Sequence, residues 1–183
     1  MVMALASTAV DFDPEALLTP VAEIGHTGAP PSPTLTAQVA ERASEVLGVS
    51  PERVYEILTP ALCDKHPYAV MQWLRDAGLL VHLLPELEAT VTFAQEGERR
   101  HKDVWEHTKA VVRQSVPRPE VRWGAVLHDI GKVTTRRFLP DGRVTFHGHA
   151  EEGVRMFRRG VVKRIAFPPD VRKRVELLIR HYL

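Results

Sequence analysis

The chain has 183 residues, of which 44% are apolar and 26% are charged, so it can bury one good-sized hydrophobic core or two small ones. Its single cysteine, Cys63, excludes an internal disulfide framework and any multi-cysteine metal site and suits a reducing compartment, so we expect a cytoplasmic protein. The first ten residues lack the basic region of a signal peptide, and no apolar stretch approaches the roughly 18 residues of a membrane span.

The net charge of +1 conceals an uneven distribution along the chain. Residues 1–98 contain 14 acidic and 4 basic residues, whereas residues 99–183 contain 9 acidic and 20 basic residues, which gives net charges of −10 and +11. The second part should therefore attract anions such as nucleic acid or phosphate. A solvated basic surface that faces an acidic neighbour would produce the same asymmetry.

The N-terminal third alternates turn signals with helical periodicity. Residues 1–33 end in Gly-Ala-Pro-Pro-Ser-Pro and predict a loosely ordered leader closed by a linker. Apolar residues at helical spacing then predict a helix over Thr34–Leu47. Ser50, Pro51 and Glu52 have the residue types of an N-cap, a first helical position and a first turn, so a second helix should begin there and end near Leu58, before Pro60.

The middle of the chain contains two further apolar segments. A helix is predicted from Pro67 to Gly78, and the short segment Leu79–Leu87 is typical of a turn of helix packed between layers. After a polar break near Gln95, three valines at positions 104, 111 and 112 and Thr108 place one face of a helix inward. His107 falls on that face.

The last third contains the most apolar helix and the best hairpin signal. Residues from Pro119 to Ile130 are apolar nearly all round, as in a central helix, and Gly131 should end it. The segments 134–138 and 143–146, separated by Leu-Pro-Asp-Gly, predict a β-hairpin. Helices should resume from Ala150 to Gly160 and from Val171 to the C-terminus.

Six of the nine histidines lie after residue 100, and three helical elements offer them to one region. His107 lies on an inward helix face, His128 and Asp129 end the central helix, and His147-Gly-His149 begins the helix after the hairpin. Imidazole and carboxylate are ligands that borderline divalent metals prefer. A bound cation would also stabilise the Asp129 carboxylate where burial alone would raise its pKa. Any one of these histidines alone is more often a buried hydrogen-bonding residue or a surface residue.

The ordered set of these residues resembles the HD superfamily of metal-dependent phosphohydrolases, whose signature is H…HD…D. The likeness extends to the bacterial tRNA nucleotidyltransferases and poly(A) polymerases that carry an HD domain after their catalytic head. The HD resemblance lies in four segments: His101-Lys-Asp-Val-Trp-Glu-His-Thr108, Arg122-Trp-Gly-Ala-Val-Leu-His-Asp-Ile-Gly-Lys132, Thr135-Arg136 and Val144-Thr-Phe-His-Gly-His149. Residues 50–54 and 74–87 resemble the helical neck that precedes it, and together the likeness covers about residues 50–181.

The resemblance implies an all-α HD bundle with one small β-hairpin, preceded by a helical neck-like region. We divide the chain into a leader (1–33), a neck-like region (34–98) and an HD domain (99–183). The nucleotidyltransferase head has no counterpart, because no Gly-Ser pair followed by an Asp-x-Asp motif occurs. Nucleotide addition by this chain is therefore not expected.

The closing aspartate of the HD signature is expected near His181-Tyr182, where this sequence has none. Either His181 or an acid beyond residue 183 would replace it. The resemblance implies that one or two divalent cations are held by His107, His128, Asp129 and His149, with His147 or His181 as a further ligand. Nickel, manganese, cobalt or iron would suit these ligands better than magnesium.

In this hypothesis the cation polarises a phosphate and generates hydroxide from bound water. Asp129 is a ligand of the cation, and Asp129 and Lys132 are the catalytic residues. Lys132, one turn past the ligand pair, would hold a non-bridging phosphate oxygen, and Arg136 or Arg137 on the hairpin would clamp another. The implied substrates are phosphoesters of nucleotides or RNA ends, such as 2′,3′-cyclic nucleotides and 2′-nucleotides. For Arg137, a solvated hairpin face is the favoured reading.

Two other functions compete with hydrolysis. The chain could be a non-catalytic tRNA- or RNA-binding body that works with a separate nucleotidyltransferase, which the positive charge after residue 98 supports. It could also be a structural domain that has lost catalysis, with Tyr182 as the mark of that loss. Histidines at ligand spacing favour the phosphohydrolase, because a module that needs only charge has no use for them.

Overall fold

The computed structural model describes residues 13–95 and 103–181, and in these residues the only sheet is one two-stranded antiparallel hairpin. The rest of the regular structure is helical, which confirms the predicted all-α fold with one small hairpin. The α-helices are α1 (Val21–Thr27), α2 (Pro33–Glu41), α3 (Pro51–Leu62), α4 (Pro67–Asp76), α5 (Leu80–Leu83), α6 (Pro85–Gln95), α7 (Val104–Gln114), α8 (Pro119–Leu127), α9 (Lys132–Thr135), α10 (His149–Met156), α11 (Val162–Arg164) and α12 (Pro169–His181). The strands are β1 (Arg137–Phe138) and β2 (Val144–Thr145).

The expectation of a loosely ordered leader over residues 1–33 is wrong where the structure describes that segment. A 3₁₀-helix at Pro14–Leu18 is followed by α1, and Leu18, Val21 and Ile24 are at most 1% exposed. α1 packs closely on α3, because a Cβ on Gly25 would lie 2.7 Å from the carbonyl oxygen of Ala61. The apolar residues of this segment are therefore part of the core, while residues 1–12 lie outside the described residues.

The predicted helix over Thr34–Leu47 is wrong as a single helix. α2 ends at Glu41, and a 3₁₀-helix follows at Ala43–Gly48. The backbone leaves helical geometry at Arg42, where φ is −115° and ψ is 10°. A 3₁₀-helix winds more tightly than an α-helix, and in this one Val46 is fully buried although the chain changes direction at Arg42.

The helix predicted at Ser50 forms as expected but runs further than its sequence suggests. The Ser50 side chain accepts a hydrogen bond from the backbone N–H of Arg53, and Pro51 occupies the first helical position. α3 continues through Pro60 to Leu62. The residues on either side of the proline are buried, and Thr59 accepts a hydrogen bond at 2.9 Å from the indole N–H of Trp123. Packing of this segment outweighs the helix-breaking tendency of the proline.

The central helix α8 is buried on all sides, as its composition predicts. Every residue from 122 to 131 is buried, and α8 lies against α3, α7 and α12. α12 approaches closely, because a Cβ on Gly124 would lie 2.8 Å from the side chain of Leu178. This burial fixes the C-terminal end of α8, where the histidine and aspartate of the predicted site follow.

The hairpin is shorter than predicted. Arg137 pairs with Thr145 and Phe138 with Val144, whereas Thr134 and Thr135 belong to the helical turn α9. The hydroxyl of Thr135 donates to the carbonyl oxygen of Gly131 at 2.9 Å, which ties this turn to the end of the preceding loop.

After the hairpin, the helix predicted from Ala150 to Gly160 begins one residue earlier and changes form. α10 ends at Met156 and continues as a π-helical turn, Phe157–Val161. α12 begins two residues before the predicted Val171. One hydrophobic core extends from Leu17 to Ile179, and the division into 1–33, 34–98 and 99–183 stays a prediction. Among the described helices, none has both the length and the apolar character needed to span a membrane.

Replacement of Leu18 tests whether the first helices belong to the core. Leu18 is fully buried, so Leu18→Ala should lower the free energy of unfolding by about 2–5 kcal/mol. Leu35→Ala is the matched control, because the Leu35 side chain is 41% exposed and its loss should cost less than about 1 kcal/mol. Urea denaturation measures the free energy of unfolding of both variants. Equal, small effects would contradict the placement of this segment in the core.

Candidate metal centre

His128 and Asp129 lie in the turn that directly follows α8. The backbone N–H of Lys132 donates to the carbonyl oxygen of Asp129 at 3.0 Å and closes the turn. The start of α10 comes very close to this turn, because a Cβ on Gly131 would overlap the carbonyl oxygen of His149 and lie 2.7 Å from the backbone nitrogen of Gly153. Glycine at 131 therefore allows His149 to lie beside Asp129.

Three of the predicted ligands converge on one point. The ligand atoms of His107, His128 and Asp129 all lie within 4.8 Å of one another. In the described ranges, this is the one group of three or more histidine, cysteine, aspartate or glutamate residues whose ligand atoms come this close. Oδ2 of Asp129 lies 3.2 Å from Nε2 of His128 and 4.0 Å from Nε2 of His107. α7 supplies His107, whereas the turn after α8 supplies the other two.

Backbone carbonyl groups orient two of the imidazole rings. Nδ1 of His128 lies 2.7 Å from the carbonyl oxygen of Ala125, and Nδ1 of His149 lies 2.9 Å from that of Phe146. A carbonyl oxygen can only accept, so each Nδ1 carries the proton that it donates. Nε2 of each ring faces Asp129, and in the metal-free site a proton on Nε2 of His128 lets it donate to the carboxylate. A bound metal ion would take the place of that proton and coordinate Nε2.

The donor set fits a divalent transition metal. Two or three neutral imidazole nitrogens and one carboxylate oxygen are the ligands that such metals prefer. Ligands at about 2.1 Å from one ion lie about 3–4 Å from each other, and the two distances from Oδ2 of Asp129 fall in this range. The residues that the structure brings together could therefore hold one cation.

The carboxylate at the centre is buried but ionised. The Asp129 side chain is 4% exposed. Burial raises the pKa of its carboxyl group, but hydrogen bonds and positive charge from His128 and Lys132 outweigh burial and lower the pKa to about 2. Asp129 therefore carries a negative charge at any physiological pH and is ready to act as a ligand.

His149 lies next to this group, whereas the other histidine candidates do not join it. Nε2 of His149 is 4.0 Å from Oδ1 of Asp129, on the second oxygen of the same carboxylate. His147 is exposed in the turn before α10, and His181 is exposed at the end of α12. Neither belongs to the group of ligand atoms described above. His101 and Tyr182, which the sequence also singled out, lie outside the described residues.

Neither of the two acids in the described part of α12 joins the ligand group, and Asp170 is exposed in the first turn of that helix. Glu176 is held by Arg158, whose Nη2 lies 2.6 Å from its Oε2, and by Arg172 at 3.5 Å. The side chains of α12 that face inward include Val175 and Ile179, which are apolar.

The predicted phosphate-binding cations differ in their surroundings. Lys132 donates to Oδ2 of Asp129 at 2.7 Å, so its ammonium group is at the centre of the site. The guanidinium of Arg136 lies 5.1 Å from the ring centroid of Phe138, and Arg137 is exposed on β1.

A cavity adjoins the group of ligands and was not foreseen from the sequence. It has a volume of about 510 Å³ and is formed by Lys132 and by residues 144–151, which include Phe146, His149 and Glu151. Lys132 and His149 connect it with Asp129. Neither the cavity nor the carbonyl group of Phe146 that orients His149 has a signal in the sequence, because both depend on the path of the backbone after the hairpin.

Comparison with known proteins identifies two family models that match this chain. A model described as HD domain matches residues 64–181, and one described as the probable RNA and SrmB-binding site of polymerase A matches residues 31–90. The HD match covers more than half of the chain and begins within the predicted neck-like region.

Two similar curated proteins align with most of this chain, and the name of one of them refers to tRNA. A multifunctional CCA protein of Pseudomonas fluorescens is 31% identical over 166 residues, which are 88% of this chain and 39% of that protein. A CC-adding tRNA nucleotidyltransferase of Thermus thermophilus is 38% identical over 138 residues, 72% of this chain and 31% of that protein. The chain thus spans less than two fifths of the length of either relative. These matches confirm the resemblance to the neck and HD region of tRNA nucleotidyltransferases.

Metal binding can be measured directly on protein from which metal has been removed with a chelator. We expect Mn²⁺ or Co²⁺ to bind the native chain and Asp129→Ala to weaken binding by about 100-fold or more, because the central charged ligand is lost. His26→Ala is the matched control, since His26 is exposed and pairs with Asp64 instead. Isothermal titration calorimetry measures all three proteins. Equal affinities for the native protein and the Asp129 variant would place the metal elsewhere.

Proposed function

Because this chain belongs to the HD-domain family, we propose that it is a metal-dependent phosphohydrolase that acts on phosphoesters of nucleotides or RNA ends. One observation carries the proposal: the ligand atoms of His107, His128 and Asp129 lie within 4.8 Å of one another, beside a cavity of about 510 Å³. A protein that bound RNA by charge alone would need neither feature.

In this proposal His107, His128 and Asp129 hold a divalent cation, and His149 supplies a further nitrogen on the other oxygen of Asp129. The bound cation supplies Lewis acidity toward a phosphate oxygen and lowers the pKa of a coordinated water molecule. Nickel, manganese, cobalt or iron suit the imidazole ligands better than magnesium. His147 and His181 stay candidate ligands from the sequence, although both side chains are exposed.

The chain's own residues bind and orient the substrate. The ionised Asp129 fixes the position of the reacting centre, and the carbonyl groups of Ala125 and Phe146 keep the histidine nitrogens directed at it. Lys132 borders both the carboxylate and the cavity, so its ammonium group can hold a non-bridging phosphate oxygen. Arg136 and Arg137 are proposed as outer contacts for further phosphate oxygens.

We propose 2′,3′-cyclic nucleotides, 2′-nucleotides or RNA ends of that kind as substrates and the cytoplasm as the location. The cavity is of the size that ligand sites for small molecules have, about 300–1,000 Å³. A phosphate near Lys132 would place the attached sugar along residues 144–151.

Hydrolysis of 2′,3′-cyclic AMP and of a 2′-nucleotide tests this function. We expect turnover by chelated protein only after Mn²⁺, Co²⁺ or Ni²⁺ is added. Asp129→Ala should lower kcat/KM by about 1,000-fold or more, because the residue holds the reacting centre. His26→Ala, a histidine change outside the ligand group, should keep native activity. Absence of turnover with every metal, from folded protein, would contradict the proposed function.

A second function is a tRNA- or RNA-binding body that works with a separate nucleotidyltransferase. Two observations favour it: the family model described as the probable RNA and SrmB-binding site of polymerase A matches residues 31–90, and one of the relatives named above is a CC-adding tRNA nucleotidyltransferase. The net charge of +11 over residues 99–183 would support binding to phosphate groups.

RNA binding is separable from hydrolysis by its dependence on salt. If the chain neutralises several phosphates, its affinity for tRNA should fall at least 100-fold between 50 and 200 mM salt, because counterions are released on binding. Fluorescence anisotropy with labelled tRNA measures this. Such binding without metal-dependent turnover would favour the RNA-binding body, whereas turnover without measurable tRNA binding would favour the phosphohydrolase.

A further inference from the structure

Lys132 makes its closest contact with the oxygen atom that a metal ion would need. Its Nζ donates to Oδ2 of Asp129 at 2.7 Å. The same Oδ2 is the oxygen that lies 3.2 Å from Nε2 of His128 and 4.0 Å from Nε2 of His107. The ammonium group and a cation held by the two histidines would therefore share one carboxylate oxygen.

The backbone of Lys132 is held by a hydrogen bond, but its side chain can reach a second position, in the cavity beside Phe146. The backbone N–H of Lys132 donates to the carbonyl oxygen of Asp129 at 3.0 Å, which holds the backbone of this residue in the turn after α8. Its Nζ lies 5.7 Å from the ring centroid of Phe146, and both residues line the cavity beside the ligand group. The lysine side chain is 23% exposed, so the ammonium group can exchange one contact for another without crossing the core.

Charge repulsion links these two positions to metal binding. A cation about 2.1 Å from Oδ2 of Asp129 would lie no more than roughly 5 Å from Nζ while the lysine contact at 2.7 Å persists. Two positive charges at that distance repel each other strongly in a partly buried site. A phosphate group in the cavity would offer the ammonium group a different anion.

We infer that Lys132 is a positioning residue shared between Asp129 and the substrate phosphate, so that metal and phosphate bind cooperatively. Without phosphate, the ammonium group stays on Oδ2 and lowers the affinity for metal. When phosphate is bound, the ammonium group moves into the cavity, and both oxygens of the Asp129 carboxylate are then available to the metal ion. By linkage, each ligand then raises the affinity for the other by the same factor. This inference rests on the proposed function, because it assumes the metal site at Asp129.

The test is the dissociation constant of Mn²⁺ for the full chain, measured by competition with a fluorescent chelator, without and with inorganic phosphate. Lys132→Gln should bind Mn²⁺ about 5- to 10-fold more tightly than the native chain when phosphate is absent. Lys132→Ala should also bind Mn²⁺ more tightly than the native chain. Lys132→Arg keeps the positive charge, so its affinity for Mn²⁺ should stay near that of the native chain. Phosphate should tighten Mn²⁺ binding less in the Gln and Ala variants than in the native chain.

Arg143→Gln is the control for charge alone. It removes one positive charge from the hairpin, where the guanidinium pairs with Asp141 and not with Asp129. Its effect on Mn²⁺ affinity should be less than about twofold, because an exposed charge is screened by solvent and salt. Circular dichroism checks that every variant is folded.

Unchanged or weaker Mn²⁺ binding in folded Lys132→Gln and Lys132→Ala would overturn the inference and leave the metal site intact. Equal tightening by Arg143→Gln would also overturn it, because the effect would then reflect net charge. Absence of Mn²⁺ binding in the native chain and in all variants would overturn the proposed function and the inference with it.

Discussion

The structure around the candidate site depends on the cost of burying one charge. Asp129 is 3% exposed and directly follows a helix whose last turns are buried. A carboxylate in such a place is stable only if cations and hydrogen-bond donors surround it. His128 and Lys132 supply them in this structure, and His107 and His149 complete the ring of nitrogen atoms. The same arrangement that compensates the charge is a set of metal ligands.

Backbone geometry determines the positions of the nitrogen atoms around Asp129. Gly131 lets the start of α10 approach the turn after α8, and the carbonyl groups of Ala125 and Phe146 fix which nitrogen of each ring faces the carboxylate. Burial of α8 between α3, α7 and α12 holds the turn in place. The geometry of the site therefore depends on the long-range packing of the helices, because displacement of α8 would move His128 and Asp129 away from His107.

Much of this architecture could be predicted from the sequence, because short sequence patterns indicate where its helices and turns begin and end. The all-round apolar helix, the Ser50-Pro51 helix start and the Leu-Pro-Asp-Gly turn have distinct signals, and the resemblance to HD proteins picked out His107, His128 and Asp129. The order of residues 14–27 was missed because the prolines and glycines at 28–33 dominate the local pattern, whereas burial of Leu18 and Ile24 depends on contact with α3. The 2.7 Å contact of Lys132 with Asp129 also had no sequence signal, because a lysine one turn away can face either the carboxylate or a phosphate.

The position of a bound metal ion tests the account most directly. A crystal structure of the protein soaked with Mn²⁺, with anomalous scattering used to locate the ion, would show it independently of any assay. We predict a peak within about 2.0–2.3 Å of Nε2 of His107, Nε2 of His128 and a carboxylate oxygen of Asp129. An ion bound elsewhere, with Lys132 still on Asp129, would contradict the claim that this buried carboxylate is the centre of a metal site.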